Sequence, residues 1–254
     1  IVFYTFNRSN RNQMDQIEII RKKTVSSTND EVKQLNRDLV LVTAEEQTKG
    51  RGQRGNSWES EKGKNLTFSL LVKPKNLYIE KQFYLSKTVS LAVVNTLKRY
   101  GLETTVKWPN DIYTGRKKIT GILIENDVYA GGRINRSTIG IGININQRQF
   151  ISDAPNPTSL INETGKETSP EEVLHLFCEE FLKLYETLNN EEYDLLDTLY
   201  WKHLYQKDEY HPYKDASGTF LGKITGVLPE GELVIETENG EKRQYLFKEV
   251  SFIL

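Results

Sequence analysis

The chain has 254 residues, with 34 Lys and Arg against 35 Asp and Glu, for a formal net charge of −1. That length holds one large domain plus a small one with a real core, and the charge balance lacks the basic excess of a dedicated nucleic-acid binder. A single cysteine, Cys178, excludes an intramolecular disulfide and a cysteine-built zinc site.

Cys178 falls in a helical pattern and reads as a small core residue. His175, His203 and His211 are scattered without metal-ligand spacing. No apolar run reaches the ~18 residues of a membrane helix, and the N-terminus has no apolar signal-peptide core. The expected compartment is the cytoplasm.

Residues 1–15 are polar and irregular, a loose lead-in, and 16–22 alternate as a strand. In Ser26-Ser27-Thr28-Asn29-Asp30-Glu31, Thr28 and Glu31 have the spacing of a capping box and start a helix to about residue 35. That cap requires neither Ser27 nor Asn29. A short apolar strand over 39–44 leads into Gln-Thr-Lys-Gly-Arg-Gly-Gln-Arg-Gly-Asn-Ser-Trp at 47–58, a glycine-rich, cationic loop suited to cradling an anion. Leu66, Phe68, Leu70 and Val72 alternate along a second strand that ends at Pro74. Helical spacing covers 79–100 and stops at Gly101.

Strands at 104–106 and around Ile112 flank Lys107-Trp108-Pro109-Asn110-Asp111, a turn stiffened by proline. The apolar run 119–125 reads as a central strand, and Gly131-Gly132 as a turn. Residues 137–145 form another strand, with Gly140 and Gly142 leaving a bare patch on one face where a ligand can lie against the backbone. Ser169-Pro170-Glu171-Glu172 is a strong helix start. Helices run to about 188 and from 191 to about 205, and 206–216 reads as a connection. From Ser217 onward, hairpin signals at Pro229-Glu230-Gly231 and Asn239-Gly240 indicate a small β barrel. The expected architecture is α+β, a mixed β-sheet flanked by helices, with domains at 1–206 and 207–254.

Gly50, Gly52 and Gly55 spell G-x-G-x-x-G, but no helix opens at the third glycine to hold a pyrophosphate, which removes the dinucleotide fold. Protein-kinase, Walker and G-x-S-x-G signatures are missing, and no histidine sits in a motif. What remains is a cationic, glycine-rich site of Arg51, Arg54, Lys118 and the strand from Gly140 to Asn144. It suits phosphate transfer or adenylation, where positioning and charge stabilisation dominate. Asp111 or Asn110 is placed to help hold a magnesium ion bridging phosphates.

Five ordered motifs carry a family resemblance: Ser27-Thr28-Asn29, Gly50-Arg51-Gly52-Gln53-Arg54-Gly55 with Trp58, Lys107-Trp108-Pro109-Asn110-Asp111, Lys118-Ile119-Thr120-Gly121-Ile122-Leu123, and Gly140-Ile141-Gly142-Ile143-Asn144. Together with the C-terminal β region, they make nearly the whole chain resemble the biotin protein ligases. The resemblance implies a catalytic domain like that of class II aminoacyl-tRNA synthetases and an SH3-like C-terminal barrel. It implies activation of biotin by Mg²⁺-ATP to biotinyl-5′-AMP, then transfer to a lysine of the biotin carboxyl carrier domain of a biotin-dependent carboxylase.

Carried over residue by residue, Ser27, Thr28 and Gln47 hydrogen-bond biotin's polar ring, while Gly50, Gly121, Leu123, Gly140 and Gly142 line its pocket. Arg51 and Lys118 are the expected catalytic cations, contacting both biotin and nucleotide. Gln53, Arg54, Trp58, Asn110, Asp111 and Asn144 are expected at the nucleotide, with Asp111 also at the magnesium ion.

Gln53 and Asn56 depart from the arginines of many members and add no charge to the adenylate site. Ser27 leaves no room for the N-terminal helix-turn-helix domain of bifunctional members, so a monofunctional monomer or homodimer without DNA or membrane partners is expected. Two alternatives are a lipoate or octanoyl ligase or transferase of the same fold, and a non-enzymatic regulator that binds biotinyl-adenylate. The intact 50–55 and 107–111 motifs argue against the first. The presence of both Arg51 and Lys118 argues against the second.

Overall fold

The computed structural model describes residues 16–52, 57–151 and 156–253. The chain opens with β1 (Glu18–Val25), the short helix α1 (Thr28–Lys33), β2 (Val40–Gln47) and β3 (Leu66–Val72). Helix α2 (Phe83–Lys98) follows, then β4 (Thr105–Lys107), β5 (Asp111–Thr114), β6 (Lys117–Val128) and β7 (Ile134–Ile143). These strands make one seven-stranded sheet in the order β1-β2-β3-β7-β6-β5-β4. Only β1 and β2 run parallel, as their α1 crossover demands.

The two faces of this sheet have different fates. Leu41, Leu70, Phe68, Ile139, Ile141 and Ile122 face the main core, under α2 and α4 (Pro170–Asn189). Phe68 meets Phe177 of α4 edge-on, with ring centroids 5.0 Å apart. On the opposite face α1 buries Val32 over Val40, Val42 and Leu71 and sets Asn29 over Ser69 and Gly140. Farther across, that face carries Ser69, Gly121, Leu123, Gly140 and Gly142, brought side by side by strand register. The glycines among them let neighbouring side chains, or a ligand, lie close against the backbone.

Beyond α3 (Leu160–Thr164), α4 begins as its sequence dictates, with the Ser169 side chain accepting from the Glu172 N–H and Pro170 as first residue. Cys178 is buried within α4, and burial pushes its thiol up to about 12, which makes it an inert core group. Helix α5 (Tyr193–His203) leads to a second, antiparallel sheet, β11-β10-β9-β8-β12. Its strands are β8 (Tyr210–Asp215), β9 (Gly218–Val227), β10 (Leu233–Thr237), β11 (Lys242–Tyr245) and β12 (Ser251–Phe252). Several contacts dock this sheet on the first sheet and on α2. Trp108 Nε1 donates to Gly231 O at 2.8 Å, the Phe83 N–H donates to Pro229 O at 3.1 Å, and Trp108 packs against Phe247.

Several local expectations are corrected. No Thr28–Glu31 capping box forms: Ser27 is the N-cap, in extended backbone and without a side-chain cap, and the Thr28 hydroxyl turns to Ser69 and Gln47 instead. The 79–100 helix is two pieces, a 3-10 turn at Ile79–Lys81 and then α2, whose first N–H is held by Pro229. The 206–216 connection contains β8. Pro212 is tolerated there because its carbonyl accepts from Ile253, so its missing N–H faces the edge where β12 has ended. The 1–15 lead-in lies outside the described residues.

Candidate active site

A cavity of about 1070 Å³ opens on the bare face of the first sheet. Its floor is set by register: Gly121 of β6 stands opposite Gly142 of β7, and Leu123 opposite Gly140. The loop from β2 closes over this floor. The Trp58 N–H donates to Gly50 O at 3.0 Å, and a Cβ on Gly50 would come within 2.6 Å of Trp58 O. Gly50 therefore joins the two ends of the loop and does not itself line the cavity. The Trp58 indole rests directly on the glycine floor. A Cβ on Gly121 would approach the ring to 2.8 Å, and one on Gly142 would overlap it. The indole N–H is buried and has no hydrogen-bond partner among the described residues.

One wall is neutral and hydrogen-bonded. The backbone N–H of Thr28 donates to Gln47 Oε1 at 2.8 Å, and the Thr28 hydroxyl lies 2.7 Å from the Ser69 hydroxyl. Ser69 Oγ in turn donates to Asn29 Oδ1. Asn29 Nδ2 donates to Glu125 Oε2 at 2.9 Å, and Lys33 Nζ donates to Glu125 Oε1 at 2.8 Å. Gly140 lies so close to Asn29 that any Cβ would overlap the amide. Burial raises the Glu125 pKa, but the hydrogen bonds from Lys33 and Asn29, with the charges of Lys33 and Arg51, outweigh it and hold the carboxyl below its ordinary value.

The other end is cationic. Lys118 Nζ sits 2.7 Å from Asp111 Oδ1 and 5.8 Å from the centre of a Trp58 ring. Arg51 pairs with Asp30 in the first turn of α1. Lys107 Nζ lies 4.5 Å from the Phe252 ring centre; burial lowers its pKa, Asp111 opposes that effect and Lys118 adds to it. Asn110 is committed to structure: its Nδ2 donates to Ile122 O at 2.6 Å and its own carbonyl accepts from the Ile122 N–H. Asn144 anchors itself through Nδ2 to Thr158 O at 2.9 Å, while its buried Oδ1 has no partner among the described residues.

The structure thus gathers Ser27, Thr28, Gln47, Arg51, Trp58, Asn110, Asp111, Lys118, Gly121, Leu123, Gly140, Gly142 and Asn144 around one cavity. Gln53 and Arg54 lie outside the described residues. Ser69, Glu125 and the C-terminal Phe247, Lys248 and Phe252 were not singled out by the sequence. Asn29 carried a signal, a buried polar residue that helix capping did not require. Among the described residues, no group of three or more His, Cys, Asp or Glu is arranged to hold a metal. No helix there is long and apolar enough to cross a membrane.

Residues 17–144 match the model of the biotin/lipoate A/B protein ligase family. The chain is 32% identical over 214 residues to the bifunctional ligase/repressor BirA of Bacillus spizizenii, covering 81% of this chain and 64% of that protein. It is 31% identical over 199 residues to the chloroplastic biotin–protein ligase 1 of Arabidopsis thaliana, covering 72% of this chain and 52% of that one. The chain therefore spans less than two thirds of the length of either relative. Among solved structures, the biotin protein ligase of Aquifex aeolicus in complex with biotin and ATP superposes with a TM-score of 0.77 at 29% identity, over 92% of this chain and 97% of that one. The two-sheet architecture, with its C-terminal SH3-like sheet, is that of the biotin protein ligases, and the chain belongs to the biotin/lipoate A/B protein ligase family.

Proposed function

We propose that the protein is an ATP-dependent biotin ligase, which forms biotinyl-5′-AMP and passes biotin to a lysine of a biotin carboxyl carrier domain. The observation that carries this reading is the polarity of the cavity, with a neutral hydrogen-bonding wall at Thr28 and Gln47 and cations at Arg51 and Lys118. Biotin is polar but uncharged at its ring and anionic at its carboxylate, and it fits that order. The similarity to the Aquifex aeolicus ligase, solved with biotin and ATP, supports the same reading.

In the first step, a biotin carboxylate oxygen attacks the α-phosphorus of ATP, a P–O bond to pyrophosphate breaks, and pyrophosphate leaves. The step brings two anions together, and Lys118 and Arg51 offset their repulsion. In the second, the carrier's lysine amine attacks the acyl carbon and AMP leaves. Ser27, Thr28 and Gln47 hold the ring. Leu123 and the glycines at 121, 140 and 142 line the pocket, and Gly50 brings Trp58 over the ligand. Asn144, through the Oδ1 that has no partner among the described residues, accepts from the nucleotide. Asn110 stiffens the turn beside it, and Gln53 and Arg54 contact phosphate.

Magnesium enters with ATP. Such an ion takes most of its ligands from phosphates and water and needs one or two carboxylates, and Asp111 suits that part. The unit at 207–254 completes the cavity beside a catalytic domain at 1–206, and we infer the cytoplasm as the compartment.

ATP–pyrophosphate exchange tests the assignment. Biotin should stimulate exchange well above background and lipoate should not. Stimulation by lipoate alone would overturn it.

A further inference from the structure

The neutral wall is one end of a chain of hydrogen bonds whose direction is set from outside the cavity. A carboxylate only accepts, so Glu125 forces Asn29 to turn its Nδ2 outward. Asn29 Oδ1 then faces Ser69 and accepts the proton of the Ser69 hydroxyl. With its one proton spent, Ser69 Oγ can only accept from Thr28, at 2.7 Å. The Thr28 hydroxyl has one proton and two acceptors in reach, Ser69 Oγ at 2.7 Å and Gln47 Oε1 at 3.1 Å. With the Ser69 proton spent, the shorter contact takes it, since two oxygens that close repel without a proton between them, and Thr28 keeps lone pairs for a ligand. Gln47 Oε1 is occupied by the Thr28 backbone N–H. Its amide nitrogen, which has no protein partner among the described residues, is left to donate into the cavity.

The inner links are protected. Ser69 is 0% exposed, Thr28 2% and Asn29 4%, so water does not compete for the bonds among them, while Glu125 at the outer end is partly exposed. Gly140 is what lets the Asn29 amide lie against the sheet, since any Cβ there would overlap it. Lys33 holds the other Glu125 oxygen.

We propose that Glu125 is a positioning residue, which acts through Asn29 and Ser69 to present Thr28 to the ligand as an acceptor beside Gln47 as a donor. The wall then selects a ring with an N–H next to a carbonyl, the pattern of a ureido ring. This inference rests on the biotin-ligase reading and adds to it a relay that touches no substrate. In Glu125→Gln the single remaining oxygen must choose between Lys33 and Asn29. Asn29 is then free to reverse, and Thr28 with it.

The test uses calorimetry with biotin and two cyclic-carbamate analogues, each with one ureido N–H replaced by oxygen. The full-length wild-type protein should bind at least one analogue about tenfold or more weakly than biotin, because two acceptors then face each other. In Glu125→Gln that ratio should shrink toward unity, chiefly through weaker biotin binding. KM for biotin should rise, while kcat for pyrophosphate exchange and KM for ATP stay near wild type. Ser69→Ala breaks the same relay at a different link and should shrink the ratio alike, which covers a Glu125 variant that fails to fold. A wild-type ratio retained in either variant overturns the relay. So does a wild type that binds biotin and both analogues equally, or a Glu125→Gln loss spread equally over kcat, biotin and ATP. A wild-type protein that binds no biotin at all refutes the ligase reading itself.

Discussion

In the proposed mechanism, Lys118 concentrates the chemistry in one side chain. Asp111 holds its ammonium at 2.7 Å, so the charge is fixed in place before any ligand arrives. A preorganised cation matters most where negative charge builds, and less where a neutral ring binds. Lys118→Ala should therefore slow adenylation by roughly a hundredfold or more, with a far smaller change in the biotin dissociation constant. Equal losses in exchange kinetics and calorimetry would remove Lys118 from its catalytic role. The sequence made this residue legible because its neighbours in the chain form a recognisable motif. Ser69, Asn29 and Glu125 were not legible as a unit. They meet only because β3, β7 and β6 pair in one register under α1, which brings together side chains 40 to 96 positions apart.

Elements were read best where local chemistry decides them. The Ser169-Pro170 start of α4 was plain, as were the apolar strands β2, β3, β6 and β7. The reading failed where a distant partner takes over a backbone group. Pro229 claims the first N–H of α2, Ser69 and Gln47 draw Thr28 out of its cap, and the shortness of β12 makes Pro212 harmless in β8.

The second sheet has a titratable lock of its own. Asp215, at the end of β8, accepts from the Ser217 N–H and hydroxyl at 2.8 and 2.6 Å and from the Tyr245 hydroxyl at 2.7 Å. These bonds, with Ser217 first, hold its pKa down to about 2 from an ordinary 3.8. A depressed folded-state pKa means that the stabilisation is fully present above the unfolded value and is lost as pH falls through the folded one. Asp215→Asn should lower the urea midpoint at pH 7, and the gap to wild type should narrow as pH drops from about 4 to about 2. A gap independent of pH would show that the carboxylate charge contributes nothing.

At the scale of the whole molecule, the two sheets share one cavity, since Phe247, Lys248 and Phe252 reach it from the C-terminal sheet. Gly231 is the joint. It has φ +111°, its carbonyl accepts from Trp108, and an added Cβ would come within 2.7 Å of Phe83. Gly231→Ala should cost about 1–3 kcal/mol through strain and overpacking. Because the joint sets where the C-terminal side chains meet the cavity, the KM for ATP should rise more than the KM for biotin. An unchanged melting temperature and unchanged kinetics would make the joint dispensable.

The indole lying on Gly121 and Gly142 also sets a clock. To reach the part of that floor the indole covers, a ligand must displace it. If that displacement governs entry, the unliganded protein is competent for only a fraction of the time and its apparent affinity is lowered accordingly. Rapid mixing with rising biotin should give an observed rate that levels off instead of climbing in proportion. The signal is built in. Of the three tryptophans, Trp58 is the one whose buried N–H has no partner among the described residues, so the fluorescence change should vanish in Trp58→Phe. A rate that stays proportional to biotin would mean that the ring leaves too fast to govern entry.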